Sequence, residues 1–167
     1  EEFLKWHTQA KTEKEMLAII NKGGIDFEPD TQSDYSNSNY VLLSYILEKT
    51  FKMPYAKILD KYIAKPLALT HTFLGKNINS KNNEASSYRF EGNWKLADET
   101  DISIPIGAGG IVSTPIDLVK FSTALFEGKV ISQKDYDETV IKKMEEFREM
   151  NRGREGGPGG GPVMIRR

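Results

Sequence analysis

Cysteine is absent from the 167 residues, which excludes a disulfide framework and thiolate chemistry and leaves the redox compartment unread. Histidine is nearly absent. His7 and His71 stand alone, with no second ligand at a metal-binding spacing, so each reads as a surface or packing residue. No metal and no other cofactor is expected. Charge of one sign is also missing: 23 basic against 24 acidic residues leave a net charge of -1, with no field to attract nucleic acid or an anionic membrane. The N-terminal EEFLKWHTQAKTEKE is acidic and broken by charges, so it reads as neither a signal peptide nor a membrane span. The length suits one domain, which at this size buries roughly two-thirds of the surface its unfolded chain would expose.

The residues present are punctuated mainly by helix signals. In TEKEMLAIINKGG, Thr12 and Glu15 have capping-box spacing, and Gly23 and Gly24 supply a stop. NYVLLSYILEKTF is apolar almost all round, the pattern of a helix inside a domain, and it ends near Met53 and Pro54. Tyr55, Ile58, Leu59, Tyr62 and Ile63 follow at helical spacing until Pro66, and Ile46, Leu47, Ile58, Leu59 and Ile63 are expected to share one core. The Asn, Lys and Ser of residues 75 to 85 read as an exposed loop. Tyr88 and Phe90, then Trp94 and Leu96, alternate about Gly92-Asn93 and predict a hairpin. Thr114 caps a helix with Pro115 in its first position and Asp117 in its first turn. Ser132 and Asp135 open a last helix whose stripe is Tyr136, Val140, Met144 and Phe147. Residues 151–167 are rich in glycine and proline and read as a disordered tail after a domain of residues 1–150.

DYSNSNY, residues 34 to 40, sets polar groups ahead of the apolar run. Taken alone, the stretch is most simply a helix cap with Tyr35 as a staple. GAGGIVST is neither a dinucleotide fingerprint nor a phosphate loop, because Val112 stands where each motif needs a glycine or a lysine. Gly107, Gly109 and Gly110 therefore read as close packing or a tight turn, with ligand contact the alternative.

The wider context resembles the serine β-lactamase and DD-peptidase-like hydrolases, in the branch of the class C β-lactamases and esterases. Phe27, Pro29, Tyr35, Asn37, Asn39, Tyr40, Pro66, Leu67, Thr72 and Phe73 fall in the family's order. GAGGIVSTPIDLVKF is similar to its later Ala-Gly-Gly-Leu-x-Ser-Thr-x-x-Asp-Leu stretch, and Tyr88 with the GNW turn matches between the two blocks. The resemblance runs from Phe3 to Ser132. It implies that Tyr35 takes the proton of a nucleophilic serine, with lysine charge nearby to favour phenolate, and that Asn37 donates its side-chain amide to a substrate carbonyl. Tyr40 and the residues after it are expected in the helix core.

Three departures qualify the match. No Ser-x-x-Lys occurs in the 167 residues, no Lys-Thr-Gly or His-x-Gly occurs either, and Asp30 stands where the family's loop has glycine. The chain is accordingly expected to be mainly α with a small β-hairpin, the helical domain of a fold that is α/β with an antiparallel sheet at full length. It reads as the central portion of a serine hydrolase acting on a β-lactam, a peptidoglycan peptide or an ester, inactive as it stands. Two alternatives remain open: a noncatalytic binding relative, or a helical interaction module using Tyr136, Val140, Met144 and Phe147. By resemblance the location is periplasmic or extracellular. Apolar surface left uncovered would favour self-association.

Overall fold

The computed structural model describes residues 3–150 apart from 33 and 83; the expected tail at 151–167 lies outside the described residues. Helix α1, Glu13–Gly23, opens with the capping box in full: Thr12 Oγ1 accepts from the Glu15 amide, and the Glu15 carboxylate accepts from the Thr12 amide at 2.8 Å. It stops at Gly24, whose φ of +76° is cheap only for glycine. Helix α2, Asn37–Phe51, ends on Lys52 in the left-handed region. Glu48 Oε1 then accepts from the Tyr55 amide at 2.7 Å, satisfying the start of α3, Tyr55–Leu59, which passes into a π-helical turn over Asp60–Ala64.

Two short antiparallel pairs supplement the helices. Strand β1, Phe73–Leu74, pairs with β4, Ile111–Val112, and the Gly75 amide extends the ladder to Gly110 O at 2.7 Å. No pattern in the sequence marks this pairing. The expected hairpin is present as β2, Tyr88–Phe90, and β3, Trp94–Leu96, with Tyr88 opposite Leu96 and Phe90 opposite Trp94. Helix α4, Pro115–Phe126, starts at Thr114 with Pro115 as its first residue. Helix α5, Gln133–Tyr136, continues through a π-helical turn at Asp137–Ile141 into α6, Lys142–Met150.

The core differs from the expected one. Met16, Val41, Tyr45 and Ile104 form the buried cluster, flanked by Trp6, Leu17, Ile19, Ile20, Ile106 and Ala108. Ile58 and Leu59 are buried outside that cluster, Ile63 is half-buried, and Ile46 is 58% and Leu47 36% exposed. The reason is helical geometry. Residues 41, 44 and 45 form the one stripe of α2 that meets α1 and the 102–110 segment, while Leu43, Ile46 and Leu47 lie on its other sides and stay partly exposed among the described residues. Tyr40, also expected in the core, is 45% exposed. Tyr136 is buried edge-to-face against Phe126, so it is not displayed for a partner as the interaction-module alternative requires.

Asp117 is the most buried charged group among the described residues. Its Oδ2 accepts from the His71 amide at 2.8 Å and from Thr72 Oγ1 at 3.0 Å, and Thr72 Oγ1 also meets Ser113 Oγ at 2.8 Å. One carboxylate thereby joins the approach to β1, the end of β4 and the first turn of α4. Its Oδ1 has no hydrogen-bond partner among the described residues, with Lys120 Nζ 3.9 Å away. Burial pushes the carboxyl up, but the His71 amide, the Thr72 hydroxyl and the Lys120 charge outweigh it and hold the group below the ordinary carboxylate range.

Two outcomes are expected. Met16→Ala should cost about 2 to 5 kcal/mol, whereas Ile46→Ala should stay within about 0.5 kcal/mol, both read by urea melts. A carboxyl with a depressed folded pKa contributes stability that is full above its unfolded value of about 3.9 and is lost as pH falls through the folded value. Melts between pH 7 and pH 3 should therefore show Asp117→Asn less stable at neutral pH and with a shallower decline on acidification than the parent; equal declines would refute this account.

Candidate functional site

Tyr35 and Asn37 meet at the N-terminal end of α2. The stretch before the helix is held extended, with Ser36 as N-cap at φ -142°, but the Ser36 side chain makes no capping hydrogen bond. Asn37 is the first helical residue, and its carboxamide oxygen accepts a 2.8 Å hydrogen bond from Tyr35 Oη. A carbonyl oxygen can only accept, so the phenol donates here, and the Asn37 Nδ2 is left pointing its donors elsewhere. The Tyr35 amide is tied back to Asp34 Oδ1 at 2.8 Å, and the Tyr35 ring leans on Tyr40 with centroids 5.6 Å apart. Tyr40 thus supports Tyr35 instead of filling the core. The partner of the Tyr35 hydroxyl is an amide oxygen, not a lysine ammonium.

The pair stands on a ridge between two hollows. Asn37 lines a cavity of about 530 Å³ between α1, α2 and the segment around Ile104–Ala108, with Trp6, Ile19 and Val41 among its walls. Tyr35 lines a second hollow of about 760 Å³ bounded by Asn21, Asp26, Asp34, Ser36 and Asn39. Among the described residues the first is mostly apolar and is lined by no charged side chain; the second carries two carboxylates. The sequence shows neither hollow, because the walls of the first run from Phe3 to Ala108 along the chain. The periodicity of α1 marks Ile19 and Ile20 as apolar, but not as walls of an open space.

Of the three glycines expected to pack closely, Gly107 and Gly110 do and Gly109 does not. A Cβ on Gly107 would lie 2.7 Å from Tyr40 O and 2.8 Å from Ser44 Cβ, and one on Gly110 would lie 2.7 Å from Ile106 O. Gly109 has open space and extended backbone. Ile106 holds φ at +25°, a conformation costly for a β-branched residue. Asp30, in the place of the family's loop glycine, sits at φ +63°, which explains a glycine there; aspartate tolerates the left-handed region better than most side chains. His7 is buried with Nδ1 3.0 Å from Thr100 Oγ1, a packing role, and His71 acts through its main-chain amide on Asp117. Among the described residues no cluster of His, Asp and Glu could hold a metal ion, and no helix is long and apolar enough to cross a membrane.

The sequence profile of the Beta-lactamase family matches residues 2–165. PbpX of Bacillus subtilis (strain 168), which is named as a penicillin-binding protein, is 34% identical over 129 residues, covering 77% of this chain and 33% of that protein. D-amino acid amidase from Ochrobactrum anthropi SV3, solved with L-phenylalanine, superposes with a TM-score of 0.65 at 33% identity over 75% of this chain and 37% of that one. A D-stereospecific amidohydrolase from Streptomyces sp. gives a TM-score of 0.70 at 26% identity, over 83% of this chain and 42% of that one. The chain spans about a third of the length of the relative PbpX and under half of the two solved chains. With profile, sequence and fold in agreement, the chain belongs to the β-lactamase family of serine hydrolase-like proteins, which includes the penicillin-binding proteins.

Proposed function

We propose that this chain forms the helical wall of an acyl-transferring serine hydrolase, with Asn37 orienting the substrate carbonyl and Tyr35 serving the proton transfer. The observation that carries this reading is the 2.8 Å bond from Tyr35 Oη to Asn37 Oδ1 at a helix start that the Ser36 side chain leaves uncapped. That bond commits the amide oxygen, so the Nδ2 of Asn37 is oriented to donate. A carbonyl held there would be fixed in orientation before any bond is made, which is how positioning lowers a barrier.

Tyr35 in this arrangement donates a hydrogen bond to Asn37 Oδ1. Acting as a base toward a serine would require it to release that bond and to sit near positive charge, because a free phenol has a pKa of about 10. The 167 residues contain no Ser-x-x-Lys, so the nucleophile and its lysine are not among them. The substrate class proposed is a carboxylic acyl compound, amide or ester: a β-lactam, a peptide of the cell wall or a small ester. The similarity to an amidase and to a penicillin-binding protein supports that range.

Incubated with a chromogenic β-lactam and a p-nitrophenyl ester, the purified chain should give no turnover and no covalent adduct by intact mass. Titration with the same β-lactam should nonetheless shift the Asn37 side-chain amide resonance, and Asn37→Ala should abolish the response elsewhere around the start of α2. Turnover lost in Tyr35→Phe, or an adduct on any serine, would show that the chain builds a complete site and would overturn this assignment.

A further inference from the structure

A helix entry is commonly fixed by a side-chain cap, and Ser36 supplies none: its backbone is extended at φ -142°, but its side chain makes no capping hydrogen bond. The residues around it take over that task. Tyr35 precedes the N-cap and Tyr40 is the fourth helical residue, the two positions whose apolar side chains staple an incoming chain to its helix. Their rings meet with centroids 5.6 Å apart and planes inclined by 40°, within the range of favourable aromatic pairs. Neither ring belongs to the core, since Tyr35 is 66% and Tyr40 45% exposed. Core packing therefore does not account for the pair. On its other side, the Tyr40 main chain lies against Gly107, where a Cβ would stand 2.7 Å from Tyr40 O.

We infer that Tyr40 is a positioning residue, whose ring holds the Tyr35 phenol on Asn37 Oδ1 and whose main chain ties that phenol to Gly107. The inference rests on the proposed roles of Tyr35 and Asn37 and adds what aims them. The Tyr35 main chain is fixed by the 2.8 Å bond from its amide to Asp34 Oδ1, but the phenol still turns about its χ1 and χ2 bonds. The 2.8 Å bond from its hydroxyl to Asn37 competes with water at so open a side chain and holds the ring only weakly by itself. Tyr40 removes the rotamers that swing Tyr35 away, so the bond forms without a further loss of side-chain freedom. A staple that ordinarily directs the chain here aims a reactive group. Backbone contact, ring contact and hydrogen bond then run in series from Gly107 to Asn37 and keep its Nδ2 turned to donate.

The test follows the Asn37 carboxamide resonances of the full chain by NMR, with Tyr35→Phe marking where they lie once the hydroxyl bond is lost. In Tyr40→Ala and Tyr40→Gln, which place good helix formers at a partly exposed position, the resonances should move most of the way to those marks; should one variant fail to fold, the other decides the matter. Tyr40→Phe keeps the ring and should leave them in place. A Tyr40 that only stabilised the fold would lower the melting temperature without that movement. The chromogenic β-lactam should bind at least about tenfold more weakly to Tyr40→Ala than to the parent, and Tyr40→Phe should restore the affinity. Unmoved resonances in a folded Tyr40→Ala or Tyr40→Gln, or equal movement in Tyr40→Phe, overturn the inference. The two readings separate in the parent chain. Resonances that move in Tyr40→Ala while the parent gives no β-lactam response uphold the positioning contact and refute the function proposed for Asn37, whereas a response in the parent with unmoved resonances in Tyr40→Ala upholds Asn37 and refutes Tyr40.

Discussion

The backbone of Gly107 presses against α2 with no room for a methyl group between them, and the geometry of the ridge depends on that contact. A side chain there would collide with the carbonyl of Tyr40 and with Ser44, a fully buried residue whose hydroxyl turns back to Val41 O at 2.7 Å. Small groups on both sides let two backbones approach closely, as packing at interior density requires. The approach sets how far the first turn of α2 stands from the 102–110 segment. That distance in turn sets the width of the cavity beside Asn37 and the place of the Tyr35–Asn37 pair. The strained φ of Ile106 next door is held by the same packing, since such a conformation persists only where its surroundings over-determine it.

A second constraint anchors the far end of that segment. Beyond Gly110 the chain enters β4, and the Asp117 carboxylate ties β4, α4 and the residues before β1 into one unit. A buried carboxylate is costly unless its oxygens accept hydrogen bonds, and here an amide and a hydroxyl on the opposing segment supply them to Oδ2, while Oδ1 has only the Lys120 charge 3.9 Å away. The Gly107 wedge is thus fixed from behind through a two-residue ladder too short to be stable by itself. The chemistry proposed for the start of α2 rests on a polar lock made at the first turn of α4.

Much of the exposed surface is apolar in a patterned way. Leu43, Ile46 and Leu47 on α2, Ile116 and Val119 on α4, and the hairpin face of Tyr88, Phe90, Trp94 and Leu96 lie open among the described residues. A helix that is apolar all round is built to be covered on more than one side, and among the described residues only the stripe of Val41, Ser44 and Tyr45 is fully buried. The apolar run NYVLLSYILEKTF thus has the character of a buried helix, yet this chain encloses only the side chains on one of its stripes.

What the sequence determined by itself was local. Thr12 with Glu15, Thr114 with Pro115, Ser132 with Asp135 and the Gly92 turn are legible because each signal is a hydrogen bond or a backbone preference closed within four residues. The family order of residues around Tyr35 and Asn37 is legible for the same reason of short spacing. Tertiary structure alone decided the rest: the pairing of β1 with β4 across nearly forty residues, the burial of Asp117, the exposure of Tyr40 and Leu47, and the two hollows on either side of the ridge. Those depend on which elements come to lie against one another, and an apolar or acidic residue carries the same letter whether its neighbour is a packed helix, a backbone amide or water.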